Sequence, residues 1–430
     1  MTSLLSMIGG LFVLMLLGLP LSFTIISVSI TSLLLFTDLP IWVFMQRFYA
    51  GLDSFVLVAI PFFLLTGNLM NEGKVTNRLI DFAYACVGHI KAGLAQVNIM
   101  VSLLFGGISG SAVADVSGVG SVLIPAMIKK GYSKSFAVAI TSTSSTLGQV
   151  IPPSIIMIVY AASAGTSVGA LFLAGVVPGI LIAASLMLLS YIYAIKHGYP
   201  SENSFSLQVF WRTLKKALLP LGAPLLIIGG IVGGIFTATE ASVVAVLYCL
   251  FITMVVDKTI TVMQLPRIII STAKMSGLTL FCIGAASMFG WLMGYFQVNN
   301  LISSFLSGIS VHQSILLLIF VGIFLALGTF MDSVPAIIIF VPIVAPIAAA
   351  SGIEPVHLGI VISVALAFGL VTPPYGLCLL LGASIAKIPA QETFKDLFIG
   401  LTCIILILLF LVFFPSVSLY LPRLIMPDLM

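Results

Sequence analysis

Residues 141–154 read TSTSSTLGQVIPPS, a run of hydroxyls, one glycine, one amide and two prolines inside an otherwise apolar stretch. Pro152 and Pro153 lack an amide proton, and each ring clashes with the preceding helical turn, so a helix cannot pass through them undisturbed. At membrane depth, opened backbone is tolerated only where protein or a water-filled cavity satisfies its carbonyl groups. Such a break is typical of a binding site in a transporter.

The composition supports a membrane setting for this break. The chain has 430 residues, of which 60% are hydrophobic and only 7% charged, and its mean hydropathy is +1.27. Soluble domains carry roughly 25% charged residues. At about 20 residues per span there is room for roughly ten to fourteen crossings and for no sizeable soluble domain. The composition therefore predicts an all-α polytopic protein of the lipid bilayer, and its net charge of +4 gives no sign of a nucleic-acid partner.

A second proline break and two interrupted apolar runs complete the pattern. TPPY at 372–375 matches IPPS at 151–154. The apolar run 93–128 is interrupted by GGISGSAVAD at 106–115, and each half of it is marginal for a full crossing. We therefore predict a re-entrant hairpin there, and a second one at 313–350.

Two coincident spacings indicate an internal duplication. The first is ten residues and separates Asp115 from Pro125 and Asp332 from Pro342. The second is 21 residues and separates Gly131 from Pro152 and Gly352 from Pro373. With five crossings and one hairpin per half, the second half enters the membrane upside down, which is the inverted-repeat plan of secondary transporters.

Charge placement gives the orientation. With the N-terminus outside, every Lys and Arg, Lys74 included, falls inside except Arg47 and Arg423, as the positive-inside rule requires. The predicted outer loops 297–312 and 351–357 contain neither residue type. Amphipathic connectors are expected at 39–50 and 257–274, and a last span at 397–420.

The hairpin tips and the breaks carry the candidate ion sites. Ser109, Gly110 and Ser111 of the first tip are expected to face the break from Gly148 to Pro152. Carbonyl and hydroxyl oxygens from two opened backbones suit a hard cation such as sodium. The second copy places Gly328 and Thr329 near Gly369, Val371 and Thr372. The alternative is that these small residues only allow close helix packing.

Asp115 and Asp332 lie at matching positions by the ten-residue count. A carboxylate inside a membrane costs roughly 2.5 to 3.5 kcal/mol on insertion scales, so both are candidates for contact with substrate or for indirect ion coordination. The alternative is a helix N-cap just past each tip. Ser145, Thr146 and Gln149, which lie nearest the break, are further substrate candidates. The alternative for the hydroxyls is a bond to their own helix.

An enzyme is not expected. GISG at 107–110 matches the GxSG pattern of intramembrane serine proteases, but that chemistry needs a histidine base beside the serine. The four histidines all fall in predicted connectors or at span ends: His89, His197, His312 and His357. Neither a zinc-protease motif nor a phosphate-binding loop occurs, so transport must draw on an ion gradient.

These motifs resemble the large membrane subunit of TRAP transporters (tripartite ATP-independent periplasmic, DctM type). The resemblance rests on GGISGSAVADVSGVGSVLIPAMIKKGYSKSFAVAITSTSSTLGQVIPPSIIMIVYA at 106–161, GTFMDSVPAIIIFVPIV at 328–344 and LVTPPYG at 370–376. It implies sodium-driven import of an organic acid, such as a C4-dicarboxylate or sialic acid, across a bacterial inner membrane. It also implies two partners, a periplasmic substrate-binding protein and a small four-helix membrane subunit that is expected here as a separate chain. The implied mechanism is an elevator, in which a transport domain moves against a scaffold.

The resemblance also assigns residues to the coupling sodium ions, of which two or more are expected. The first ion site takes Ser109, Gly110, Ser111, Gly148, Val150 and Pro152. The second takes Gly328, Gly369 and Thr372. The substrate candidates, chosen from the residues themselves, are Asp115, Ser145, Thr146, Gln149, Asp332, Pro153 and Tyr375.

The expected domain boundaries follow the repeat. Scaffold spans of repeat 1 occupy 1–92, and transport-domain halves occupy 93–170 and 313–390. Residues 171–312 hold a connecting span and the scaffold of repeat 2, and 391–430 the C-terminal span. A stand-alone ion-coupled transporter or exporter of the same superfamily, without a binding protein, is the alternative function.

Overall fold

The computed structural model describes residues 2–73, 75–199, 201, 204–297 and 312–427. The chain is 82% helical, and no strand occurs in this described part. Within it, nine helices are long and apolar enough to cross a membrane, or ten if one bent pair is a single span. The prediction of an all-α polytopic protein is confirmed. Lys74 and nearly all of the predicted outer loop 297–312 lie outside the described residues.

The N-terminal helices follow the predicted spans. Gly18 in the left-handed region and Pro20 separate the first two helices, because neither residue suits a helix interior. The third helix is amphipathic and lies where the connector 39–50 was predicted. In order the elements are α1 Thr2–Leu16, α2 Leu21–Phe36, α3 Trp42–Leu52, a 3-10 turn Phe55–Val58 leading into α4 Ala59–Glu72, and α5 Val75–Val87.

A hairpin forms where the first one was predicted; its second arm, Ala112–Lys129, is itself long and apolar enough to cross a membrane, so the re-entrant course stays a prediction. Its first arm is α6, Gly93–Ser109, and it ends at Gly110, whose φ of +62° only glycine adopts without strain. The second arm follows as α7 Ala112–Asp115, a π-helical turn Val116–Gly120, and α8 Ser121–Lys129.

The first proline break interrupts the next helix. α9 Lys134–Ser145 and α10 Leu147–Val150 precede the break, α11 Ile155–Ala164 follows it, and the two parts are bent by 43°. The Pro152–Pro153 peptide bond is cis, as is Pro373–Pro374 in the second break. α12, Val168–His197, then crosses back as one long helix.

The second half begins with α13 Leu207–Val232, α14 Ala238–Leu250 with a π-helical extension Phe251–Val256, and α15 Leu265–Tyr295. The connector predicted at 257–274 is wrong in extent. Pro266 occupies the first turn of α15, where its missing amide proton costs nothing, and the helix then runs unbroken into the next span. Only 257–264 connects α14 to α15.

The second hairpin and second broken helix follow the order of the first. The hairpin is α16 Gln313–Phe330 and α17 Ser333–Ala350, and the broken helix is α18 Pro355–Gly369 and α19 Leu377–Ala386. The predicted last span, 397–420, is two helices, because the chain leaves the helix at Phe414 and Pro415. They are α20 Phe394–Phe413 and the amphipathic α21 Ser416–Ile425.

The structure corrects one equivalence between the halves. Gly131 and Gly352, Gly148 and Gly369, and Pro152 and Pro373 are each 221 residues apart. The same offset pairs Ser111 with Asp332, and each of these two is the N-cap of a second hairpin arm. It pairs Pro125 with Pro346, not with Pro342. Asp115 and Asp332 are therefore not matching residues, and the spacing of ten was a coincidence.

Two ion pairs within the described part of the chain agree with the predicted orientation. Arg78 pairs with Asp257, and both were predicted inside. Arg423 lies 3.3 Å from Glu354, and both were predicted outside. Each pair joins residues on one predicted face, although the inverted relation of the halves itself stays a prediction.

Candidate ion and substrate site

The first hairpin tip packs directly on the first proline break. A Cβ on Gly106 would lie 2.9 Å from the Cα of Gly148, and one on Gly110 would lie 2.8 Å from the carbonyl oxygen of Pro153. The backbone amide of Ile155 donates to the Gly110 carbonyl at 3.4 Å. Side chains would hold these segments apart, so the glycines are needed for the approach.

The polar atoms of this first junction are mostly backbone oxygens. Ser109 is buried, and its Oγ lies 3.5 Å from the carbonyl oxygen of Ser111. The Pro152 carbonyl oxygen lies against Gly107 of the first arm. The Val150 carbonyl oxygen, in contrast, lies against Gly175 of α12. The structure thus brings the tip and most of the predicted first-site residues together, and it places the Val150 carbonyl beside a different helix.

The second tip meets the second break in the same way. A Cβ on Gly328 would lie 2.8 Å from the Cα of Gly369, and one on Gly369 would overlap Gly328. Thr372 is half-buried, and its Oγ1 donates to the Phe368 carbonyl at 2.8 Å. The hydroxyl of Thr329 donates to Ala326 within its own helix. The predicted second-site residues Gly328, Gly369 and Thr372 are therefore neighbours.

The second tip also contacts the first break. The Ser333 hydroxyl donates to Oε1 of Gln149 at 3.3 Å, and the Ser154 hydroxyl donates to the Gln149 carbonyl at 2.6 Å. Asp332, beside Ser333, is exposed, and its Oδ1 accepts from the Ser333 amide at 2.7 Å. Capping is thus present at Asp332. Sequence reasoning missed Ser333, although its place directly after a tip aspartate was an available signal.

The hydroxyls before the first break bond to their own helix. Ser145 donates to the Ser142 carbonyl and Thr146 to the Thr143 carbonyl, each at 2.7 Å. Both side chains are fully buried. The alternative given above for these hydroxyls, a bond to their own helix, is therefore the arrangement found, and it turns both hydroxyls away from any opening.

Asp115 is also fully buried, and it is not a cap. Its Oδ2 accepts from the Ser102 hydroxyl at 2.7 Å, whereas the cap of this arm is Ser111, which accepts from the Ala114 amide. The capping alternative is therefore wrong for Asp115.

The two breaks differ in exposure. Pro153 is buried, whereas Pro374 and Tyr375 of the second break are exposed, Tyr375 by 61%. Of these two substrate candidates, only Tyr375 is open to a ligand.

A cavity of about 390 Å³ separates the predicted scaffold from the predicted transport domain. Three serines of α11, α15 and the turn after α3 line it, together with Trp291. Arg47 stacks on Trp291 with its guanidinium carbon 4.7 Å from the ring centroid, and its buried Nε has no hydrogen-bond partner among the described residues. Arg47 is a basic group at the edge of this cavity that sequence reasoning left out. The three serines that line the cavity are Ser54, Ser163 and Ser287.

One histidine differs from expectation. His357 is buried, but its Nδ1 lies 2.7 Å from the hydroxyl of Ser418 in α21. It pairs with that serine and not with Ser109, so the arrangement does not form a protease dyad.

The donor set at the two tips fits a hard monovalent cation. In the described part of the chain, no three His, Cys, Asp or Glu side chains come together as a transition-metal site would require. The tips instead offer neutral carbonyl and hydroxyl oxygens, which suit a dehydrated sodium ion.

Comparison with known proteins decides the family. The family model described as "Tripartite ATP-independent periplasmic transporter, DctM component" matches residues 8–417. The chain belongs to the DctM family. It is a TRAP large permease subunit, a multi-pass membrane protein of secondary transport, and its relatives are transporter permeases and not enzymes.

Relatives of this DctM-family chain serve different substrates. It is 37% identical to the sialic acid TRAP transporter large permease protein SiaM of Vibrio cholerae, covering 95% of each chain. It is 36% identical to the C4-dicarboxylate large permease protein DctM of Rhodobacter capsulatus, covering 97% of this chain and 98% of that one. It is 35% identical to the ectoine large permease protein TeaC of Halomonas elongata, covering 96% and 98%.

A solved structure shares the fold of this permease. The YdaH transporter of Alcanivorax borkumensis superposes with a TM-score of 0.60 at 16% sequence identity, covering 87% of each chain. At this identity the likeness concerns the fold alone.

Proposed function

We propose that this permease drives sodium-coupled import of a small organic acid across a bacterial inner membrane. Sialic acid, C4-dicarboxylates and ectoine, the substrates in the names of three relatives, carry a carboxylate, whereas isethionate, in the name of a fourth, carries a sulfonate. A small organic acid is the substrate class, and sialic acid or a C4-dicarboxylate is the first candidate. A separate small four-helix subunit and a periplasmic binding protein are the proposed partners.

The observation that carries the proposal is the pair of junctions between hairpin tips and proline breaks. Each junction depends on backbone-to-backbone contact at glycine, at Gly106 and Gly148 in one half and at Gly328 and Gly369 in the other. Opened carbonyl groups in an apolar interior need a partner, because water is not available there to satisfy them. A bound sodium ion supplies that partner at each junction.

The substrate site lies where the second tip meets the first break. Gln149 and Ser333 offer an amide and a hydroxyl, and the exposed Asp332 carboxylate accepts hydroxyl or ammonium protons. Because the site shares Gln149 with the first break and Asp332 with the second tip, ordering either junction organises the substrate contacts.

Transport then follows from this coupling. The mobile domain comprises residues 93–170 and 313–390, and α3 and α15 belong to the scaffold that it moves against. The cavity beside Arg47 and Trp291 lies on this boundary. Sodium and substrate must each tighten the binding of the other by the same factor. An unloaded tip would expose unpaired carbonyl groups to hydrocarbon, which opposes movement of the empty domain.

Reconstitution tests the proposal. The permease and its small subunit are placed in proteoliposomes with an inward sodium gradient, with and without the binding protein, and offered labelled sialic acid, succinate and ectoine. Uptake that needs both sodium and the binding protein is expected. Uptake without the binding protein supports the stand-alone transporter instead, and uptake that ignores sodium overturns the proposed coupling.

A further inference from the structure

A closed polar cluster lies behind the first hairpin tip, apart from the tip contacts. Five side chains form it, and none of them has more than 1% of its surface exposed. The Ser102 hydroxyl bonds Asp115 at 2.7 Å and lies 3.1 Å from the Ser144 hydroxyl. One turn along the same helices, the Asn98 amide donates to the Thr141 hydroxyl at 2.5 Å. The cluster therefore links both hairpin arms to α9.

Two oxygens of this cluster have no partner. Oδ1 of Asp115 and Oδ1 of Asn98 are both buried, and no donor in the described part of the chain reaches either one. When Asp115 is ionised, both oxygens are acceptors, so they cannot satisfy each other. No basic side chain in that part lies within ion-pair distance of Asp115. A carboxylate buried without a counter-charge is strongly unfavourable, and this one has only a hydroxyl beside it.

We propose that Asp115 is the centre of a third cation site, which binds a sodium ion inside the first hairpin. Oδ1 of Asp115 and Oδ1 of Asn98 are its ligands, together with the hydroxyls of Ser102 and Ser144. One negative and several neutral oxygens match the preference of a hard cation, and the ion supplies the missing counter-charge. The site deepens the proposed function and rests on it: a sodium ion that moves with the first hairpin adds to the ions that drive import.

The site belongs to the first half only. The 221-residue offset pairs Asp115 with Ala336 and Ser144 with Ala365, and both alanines are fully buried. The second half therefore offers neither the carboxylate in its hairpin nor the hydroxyl in its broken helix. With one ion at each tip, the site raises the number of coupling ions from two to three.

Direct sodium binding tests the site without any substrate. Radioactive sodium is titrated onto the purified complex of the full chain with its small subunit, for wild type, Asp115→Asn and Ser102→Ala. Ser117→Ala is the matched control, because Ser117 lies exposed on the same arm and bonds only to Ala114. We expect three bound ions in the wild type and the control, two in Asp115→Asn, and weakened binding of one ion in Ser102→Ala.

The outcomes separate this site from the proposed function. An Asp115→Asn variant that binds as many ions as the wild type, with equal affinity, overturns the site. Full sodium binding in that variant, combined with loss of a co-transported proton, also overturns the sodium assignment. Sodium-independent uptake by the wild type overturns the proposed function. If Asp115→Asn fails to fold, unchanged binding by Ser102→Ala decides against the site.

Discussion

Gly328→Ala is the substitution that most sharply probes the second junction. The added Cβ would lie 2.8 Å from the Cα of Gly369 and 3.0 Å from the Leu366 carbonyl oxygen. Both are backbone atoms, so no side chain can rotate away. An ordinary carbon–carbon contact is about 3.5–4.0 Å, and the tip must therefore withdraw by roughly 0.7 Å or more. Overpacking of this kind costs about 1–3 kcal/mol.

This cost is expected to appear in sodium binding. If the docked tip is the form that binds the ion, about 1–3 kcal/mol corresponds to a roughly 5- to 150-fold weaker sodium affinity. The assay measures the sodium concentration that gives half-maximal uptake. Gel filtration monitors assembly with the small subunit in parallel. Gly322→Ala is the control, because Gly322 lies in the same helix with no atom within 4 Å of its added Cβ. Equal sodium dependence in the two variants refutes the reasoning.

Three further predictions concern other contacts. Thr372→Ala should raise the sodium concentration for half-maximal uptake more than it changes assembly, and an unchanged value removes Thr372 from the ion site. Gln149→Ala and Ser333→Ala should each weaken substrate binding. The double variant should lose less binding free energy than the sum of the two single losses, because the two side chains share one hydrogen bond. Strictly additive losses count against a shared site. Removing either partner of the half-buried Arg78–Asp257 pair should lower thermal stability. The loss should be larger for Arg78→Ala, because it leaves the buried Asp257 carboxylate unpaired. Equal losses of thermal stability in Arg78→Ala and Asp257→Ala contradict this.

The order of elements could be read from the sequence because its signals are local. Single prolines such as Pro125 and Pro178 lie inside helices, but the consecutive prolines that start at Pro152 and Pro373 remove two amide donors in a row and break them. Gly110 permits a tight turn. The helices of both predicted hairpins and the positions of both breaks therefore agree closely with the prediction, whereas the re-entrant course of the hairpins stays a prediction. The extent of α15 was not, because an amphipathic start and an apolar continuation look like two elements until packing joins them.

The details of the site depend on distances between distant segments. A count of ten residues could not decide whether Pro342 or Pro346 corresponds to Pro125, and it paired Asp115 with the wrong residue. The contact of Ser333 with Gln149 joins residues 184 positions apart, and no local pattern specifies it. The burial of Asp115 likewise follows from packing between α6 and α9.

The coupling claim has one direct test. Proteoliposomes holding the permease and its small subunit, with binding protein and labelled substrate outside, are given a series of sodium ratios while potassium and valinomycin hold the membrane potential at zero. The steady-state accumulation of substrate should rise at least as the square of the sodium ratio, since two or more ions move with each substrate. Accumulation that stays the same at every sodium ratio contradicts it.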